Sequence, residues 1–130
     1  MVKQKTGFTL IEIIMALAIL GIGVVSVMAY LPIALDASSK ASNLTRASMV
    51  GQRILEEIKL ASLDDIEAAD AFDTGTYKVD AHHKDFEYRV VVAPHGAATA
   101  KDIIVYVRWK TRGNLISESF QTRIPKYNPG

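Results

Sequence analysis

The 130-residue sequence contains no cysteine, which excludes both a disulfide framework and a thiolate-ligated metal site. No glycine-rich phosphate loop, nucleophile elbow or HEXXH-type helical pair occurs, so the usual sequence marks of nucleotide binding, serine hydrolysis and zinc peptidase chemistry are all missing. Charge is also missing where it would normally be found. From Ile13 to Leu35 there are 23 consecutive residues without an acidic or basic side chain. At this length the chain accommodates one domain and one membrane segment.

The apolar run decides the class. As a helix it would be about 35 Å long, enough to cross a hydrocarbon core of about 30 Å. Lys3 and Lys5 precede it without an acidic partner. That asymmetry predicts a cytoplasmic N-terminus, with everything after Leu35 on the far side. The run is too long for a secretory signal, whose apolar core spans about 7–15 residues and is followed by a small-residue cleavage site. Here the small residue, Gly7, comes before the run. Cleavage there would remove a basic leader and leave the apolar helix on the mature chain.

The segment Lys5-Thr6-Gly7-Phe8-Thr9-Leu10-Ile11-Glu12 resembles the prepilin processing motif of type IV pilins and type II secretion pseudopilins. The resemblance implies cleavage between Gly7 and Phe8 by a prepilin peptidase, and N-methylation of the Phe8 amine. It implies a cleaved leader, residues 1–7, and a transmembrane and assembly helix, residues 8–35. A periplasmic or extracellular domain, residues 36–130, would follow. Other pilin or pseudopilin subunits and an inner-membrane assembly platform are the implied partners. Before assembly the location would be the inner membrane, and afterwards a pilus or periplasmic filament.

Independent physics singles out Glu12. A carboxylate at the centre of a membrane helix costs roughly 2.5–3.5 kcal/mol, and less near the interface. Glu12 lies four residues after Phe8, about 6 Å along a helix. After cleavage the nearby cation would be a Phe8 amine, and the family resemblance implies that a neighbouring subunit supplies it. Gly21, Gly23 and Pro32 interrupt the run, which suits either plain membrane tolerance or a stretch that loosens on assembly.

Beyond Pro32 the pattern becomes amphipathic. Leu44, Ala47, Gly51, Ile54, Leu55 and Ile58 recur at three- and four-residue spacing, so one helix should run from Phe8 to about Leu60. Residues 61–77 carry five acids and no base, and read as a solvated connection with a helical turn at Asp64–Ala71. Their spacing matches no calcium-binding EF-hand loop. Alternation then predicts strands Asp85–Val92, Asp102–Lys110 and Ile116–Ile124, with Tyr77–Asp80 as a fourth. Ala93–Lys101 should link the first pair, and Thr111–Leu115 the second as a hairpin. The expected class is α+β: a long N-terminal helix, transmembrane then amphipathic, on a three- to four-stranded antiparallel sheet. Trp109 and Ile54 are the positions expected to be buried.

Charge is polarised. Residues 36–77 carry four basic and eight acidic side chains, whereas residues 78–130 carry nine basic and five acidic. The plain reading is two oppositely charged surfaces that help copies or partners pack. The sharper one is polyanion or DNA binding through Lys84, Arg89, Lys101, Arg108, Lys110, Arg112, Arg123 and Lys126. Asp80, His82, His83 and Asp85 form the compact cluster of candidate ligands, with His95 apart. Adjacent histidines on a strand point to opposite faces, so they read as solvent-exposed loop residues. No metal ligand, cofactor or catalytic residue is assigned. The leading expectation is a non-enzymatic minor pilin, since absent cysteines argue against a disulfide-bonded major pilin. A minor pseudopilin is the alternative, and a membrane-tethered polyanion-binding module the second.

Overall fold

A computed structural model describes residues 7–96 and 99–126. The chain divides into two compact units, Met1–Ser42 and Asn43–Gly130. Helix α1, Leu10–Ala61, contributes to both and continues through Pro32.

In the first unit every residue from Gly7 to Leu35 is exposed, including Leu10, Ile14, Leu17, Leu20 and Ile22. Apolar side chains all round a helix leave it with no polar face to present to water. Among the described residues this is the helix long and apolar enough to cross a membrane. The hydroxyl of Ser26 donates to the carbonyl of Ile22 at 2.7 Å, so this polar group is satisfied within its own helix.

In the second unit α1 presents a narrower apolar stripe. Ala47, Val50, Gly51, Ile54, Leu55 and Ile58 are buried. Leu44, expected on this stripe, is 46% exposed, while Val50, which the pattern passed over, is 1% exposed. Four strands form one antiparallel sheet in the order β1-β2-β3-β4: Lys78–Val79, Phe86–His95, Ala100–Thr111 and Asn114–Pro125. Phe86, Val90, Ile103, Val105, Val107, Trp109 and Ile124 form the core with the stripe. Ile54 and Trp109 are buried as expected, at 4% and 5% exposure. Each such side chain contributes roughly 1.5–3 kcal/mol through removal from water.

Gly51 has a steric reason. A Cβ at that position would lie 2.7 Å from Cγ and 2.9 Å from Cε2 of Phe120 on β4. The missing side chain therefore lets the Phe120 ring sit directly on the helix backbone.

Strand ends differ from the sequence pattern. Strand β2 extends to His95 and β3 begins at Ala100, so the expected Ala93–Lys101 link is shorter than the alternation suggested. Pro94, inside the expected Ala93–Lys101 link, lies within β2. Strand β1 pairs only with Glu87 and Tyr88. Beyond it, Val90 N–H donates to Thr74 Oγ1 at 3.1 Å and Val92 N–H to Asp73 Oδ2 at 3.2 Å. Pro94 follows on the same open edge, where a missing N–H breaks no ladder bond. The β3–β4 hairpin closes through Arg112 and Gly113, with φ of 50° and 84°. Positive φ at both loop residues marks the turn type whose twist suits a two-residue hairpin. The acidic connection contains a 3-10 helix, Ile66–Phe72, capped by Asp65, whose side chain accepts from Glu67 N–H.

Candidate functional site

The residues before α1 are not helical: Gly7, Phe8 and Thr9 carry no regular structure, and Phe8 is 82% exposed. A peptide bond in this position is open to an enzyme, because no helical hydrogen bond has to break first. A Cβ on Gly7 would meet nothing. The structure itself therefore tolerates a side chain there.

Glu12 lies at the third position of α1 and completes a reciprocal cap. Thr9 N–H donates to Glu12 Oε2 at 3.3 Å, and Glu12 N–H donates to Thr9 Oγ1 at 3.4 Å. This is the capping-box arrangement, in which two orphan donors at a helix start are satisfied by side chains. Negative charge in the first turn also complements the helix dipole. The Thr9-x-x-Glu12 spacing carried that signal in the sequence, and sequence reasoning passed over it in favour of the membrane cost of the carboxylate. Phe8, Glu12, Ala16 and Leu20 follow at four-residue intervals and share one side of the segment. A hydrophobic strip with a single carboxylate near its end can dock another apolar helix and present one point of charge recognition.

In the second unit, the candidate ligand cluster resolves into a structural hub. Asp80 is 1% exposed. It accepts from the backbone N–H of His82 at 3.1 Å and of His83 at 2.8 Å. The guanidinium of Arg53 on α1 pairs with its other oxygen. His83 Nδ1 lies 3.3 Å from Asp80, while His82 is exposed. Asp80 therefore ties the loop before β2 to the helix. Sequence reasoning grouped it with the histidines without finding this role, since Arg53 is remote in the chain. Among the described residues no group of three His, Asp or Glu side chains could hold a metal ion.

Several of the basic residues considered for polyanion binding already hold acidic partners. Lys101 is only 8% exposed, and its Nζ lies 2.7 Å from both Glu67 and Asp70. These bonds lower the Asp70 pKa, mainly through the Lys101 hydrogen bond, and raise that of Lys101, with Asp70 the larger cause. Arg108 pairs with Glu87 at 2.5 Å and stacks 3.7 Å from the Tyr77 ring centre. Arg89 lies between the rings of Tyr77 and Tyr106, at 5.4 and 5.0 Å. Asp102 accepts from Arg123 at 2.8 Å and lies 2.8 Å from His95, and these contacts, with Arg123 the larger cause, lower its pKa.

Residues 2–28 match the model of a family described as the prokaryotic N-terminal methylation motif. No curated protein and no solved structure matches the chain.

Proposed function

We propose that this chain is a type IV pilin-like protein and, among these, a minor pilin of a type IV pilus, matured by cleavage between Gly7 and Phe8; the match of residues 2–28 to the N-terminal methylation motif supports that reading. Members of that family are structural subunits, processed by a prepilin peptidase and assembled with other pilin subunits. The observation that carries the proposal is the order of parts. A non-helical Gly7–Phe8 bond precedes an exposed apolar stretch of α1, residues 10–35, whose one carboxylate, Glu12, sits in the first turn. Before assembly the helix anchors the chain in the inner membrane with residues 1–7 in the cytoplasm. On assembly it leaves lipid for a bundle of like helices, and Glu12 accepts the Phe8 amine of a neighbour, removing the penalty of an unpaired charge. A pseudopilin of a type II secretion system would use the same mechanics. A polyanion-binding role is weaker, since Lys101, Arg108 and Arg123 already hold acidic partners within the unit.

Two substitutions separate the cap from the charge. Glu12→Gln keeps a side chain able to complete the capping box but removes the charge, whereas Thr9→Val removes the reciprocal cap and keeps the charge. Mass spectrometry of membrane-extracted protein should give a mature chain beginning at methylated Phe8 for all forms. Incorporation into sheared filaments should fall for Glu12→Gln and persist for Thr9→Val. Normal incorporation of Glu12→Gln would refute the pairing role, and an intact Met1 in cells with an active peptidase would refute the processing assignment.

A further inference from the structure

The sheet-bearing unit carries a cleft of about 410 Å3 that none of the foregoing uses. Its walls come from the start of that unit's helical part, the residues that open β2, and the β3–β4 hairpin. Arg46, Lys84, Arg108 and Lys110 line it against Asp85 and Glu87, so the cleft is positive. Arg108 and Glu87 hold each other. Arg46, Lys84 and Lys110 are exposed and make no ion pair among the described residues, unlike Lys101, Arg108 and Arg123. Unpaired cations gathered on one concavity repel one another, and an anion set among them turns that repulsion into attraction. A phosphodiester suits the mixture, because Arg grips its oxygens as a fork and Lys meets it as a point charge.

Two further observations indicate where such a phosphate comes from. Leu115, on the cleft wall, is 56% exposed. An exposed apolar side chain among lysines suits the boundary of a bilayer, where charged tips stay with headgroups and the apolar group leaves water. The second observation is where the chain enters the unit. Asn43 is its first residue and also lines the cleft. It follows Leu35, the end of the uncharged run, by eight positions. The cleft is therefore leashed within about 28 Å of that end, whatever path the connection takes. Glu56 and Glu57 stand at the other end of the unit's helical stretch, roughly 15 Å beyond Arg46. The positive end is the one at which the anchor arrives.

We propose that this cleft binds the headgroup phosphate of an anionic phospholipid and docks the hairpin end of the sheet-bearing unit on the membrane that holds α1. The proposal rests on the membrane-anchored state before assembly, and not on the choice between a pilus and a secretion filament. Its partner is lipid alone, so a single subunit suffices. The contact is electrostatic at an exposed surface, and salt weakens it.

Trp109 is the single tryptophan of the chain and lines the cleft, so its fluorescence reports on docking without a label on the protein. The full-length chain is placed in bilayer discs of phosphatidylcholine, with or without phosphatidylglycerol, each carrying a trace of lipid spin-labelled at the headgroup. Quenching of Trp109 should be stronger in the discs with phosphatidylglycerol, and about 1 M salt should remove the difference. Lys84→Gln with Lys110→Gln should lower the docked-to-undocked ratio roughly 30-fold, at about fivefold per cation, and abolish the difference. Lys59→Gln with Lys126→Gln makes the same change in net charge away from the cleft and should leave the difference intact. All four lysines are exposed, and the salt arm needs no variant. Equal quenching in the two lipids, or a difference lost alike in both double variants, overturns the proposal. Equal quenching together with an emission shift from inorganic phosphate or polyglutamate would assign the cleft to a free anion or an acidic protein instead. A chain that stays out of the discs altogether would overturn the anchored state, and docking with it, a failure visible before any fluorescence is read.

Discussion

Helix α1 is one secondary-structure element in two chemical settings. Its residues in the first unit expose Leu, Ile and Val on every side, while those in the second bury a single stripe headed by Ala47, Val50, Ile54 and Ile58. The backbone is helical along the whole length, through Pro32. What differs is the angular distribution of apolar side chains. A full apolar cylinder requires an apolar surrounding, whether lipid or neighbouring helices, whereas a stripe is satisfied by one sheet. Stability should therefore reside in the second unit and assembly in the first.

Truncation gives the largest expected break in that comparison. A chain beginning at Asp36 should be soluble and monomeric without detergent, as judged by sedimentation, and should retain both helical and strand signals in circular dichroism. A detergent requirement equal to that of the full chain would place the exposed apolar surface elsewhere.

Next in size is a matched pair of truncations to alanine. Ile58 is 0% exposed and Ile22 is 69% exposed. In urea unfolding of the full chain in detergent, Ile58→Ala should lower the stability of the sheet-bearing unit by roughly 2–5 kcal/mol. Ile22→Ala should leave that transition in place. Equal shifts would mean that the two parts of the helix are not energetically distinct.

Gly51→Ala sharpens the contrast at a single methyl group. The added Cβ would overlap the Phe120 ring, and relieving it should cost about 1–3 kcal/mol through overpacking. Gly21 and Gly23 have nothing within 4 Å of such a Cβ. Alanine at either should leave the unfolding midpoint unchanged, or raise helix stability by roughly 0.5–1 kcal/mol.

The smallest effect is electrostatic. Asp70 titrates below its ordinary value of 3.8 in the folded chain, so its contribution is present above that pH and is lost as pH falls through the lowered folded value. Lys101 titrates above 10.5, so its contribution is present below 10.5 and is lost as pH rises through the raised value. Lys101→Met should flatten the stability profile at both extremes, most visibly in acid. An acid limb of unchanged slope in the variant would show that the pair contributes nothing at low pH.

Much of this architecture was legible in linear order. The uncharged run, the basic residues before it, and Gly7, Phe8 and Glu12 at fixed spacing are local features. Strand alternation around Val105, Val107 and Trp109 is local too, since a period of two directly reports which side chains share a face. The extent of β2 was not legible, because Pro94 reads as a breaker until the open edge beside it is known. Lys101 reads in the sequence as one of the basic residues for polyanion contact, yet it is buried against Glu67 and Asp70, which lie some thirty residues earlier.

The sequence by itself determined that one helix would be apolar all round and then striped, that a carboxylate would sit near its start, and that a sheet would follow. These depend on composition and period over a few residues. Only the tertiary structure decided that Asp80 anchors to Arg53, that Gly51 makes room for Phe120, and that Lys101 is buried against Glu67 and Asp70. Each of those contacts joins residues far apart in the chain, and their partners are chosen by strand register and helix docking, which no short window of sequence encodes.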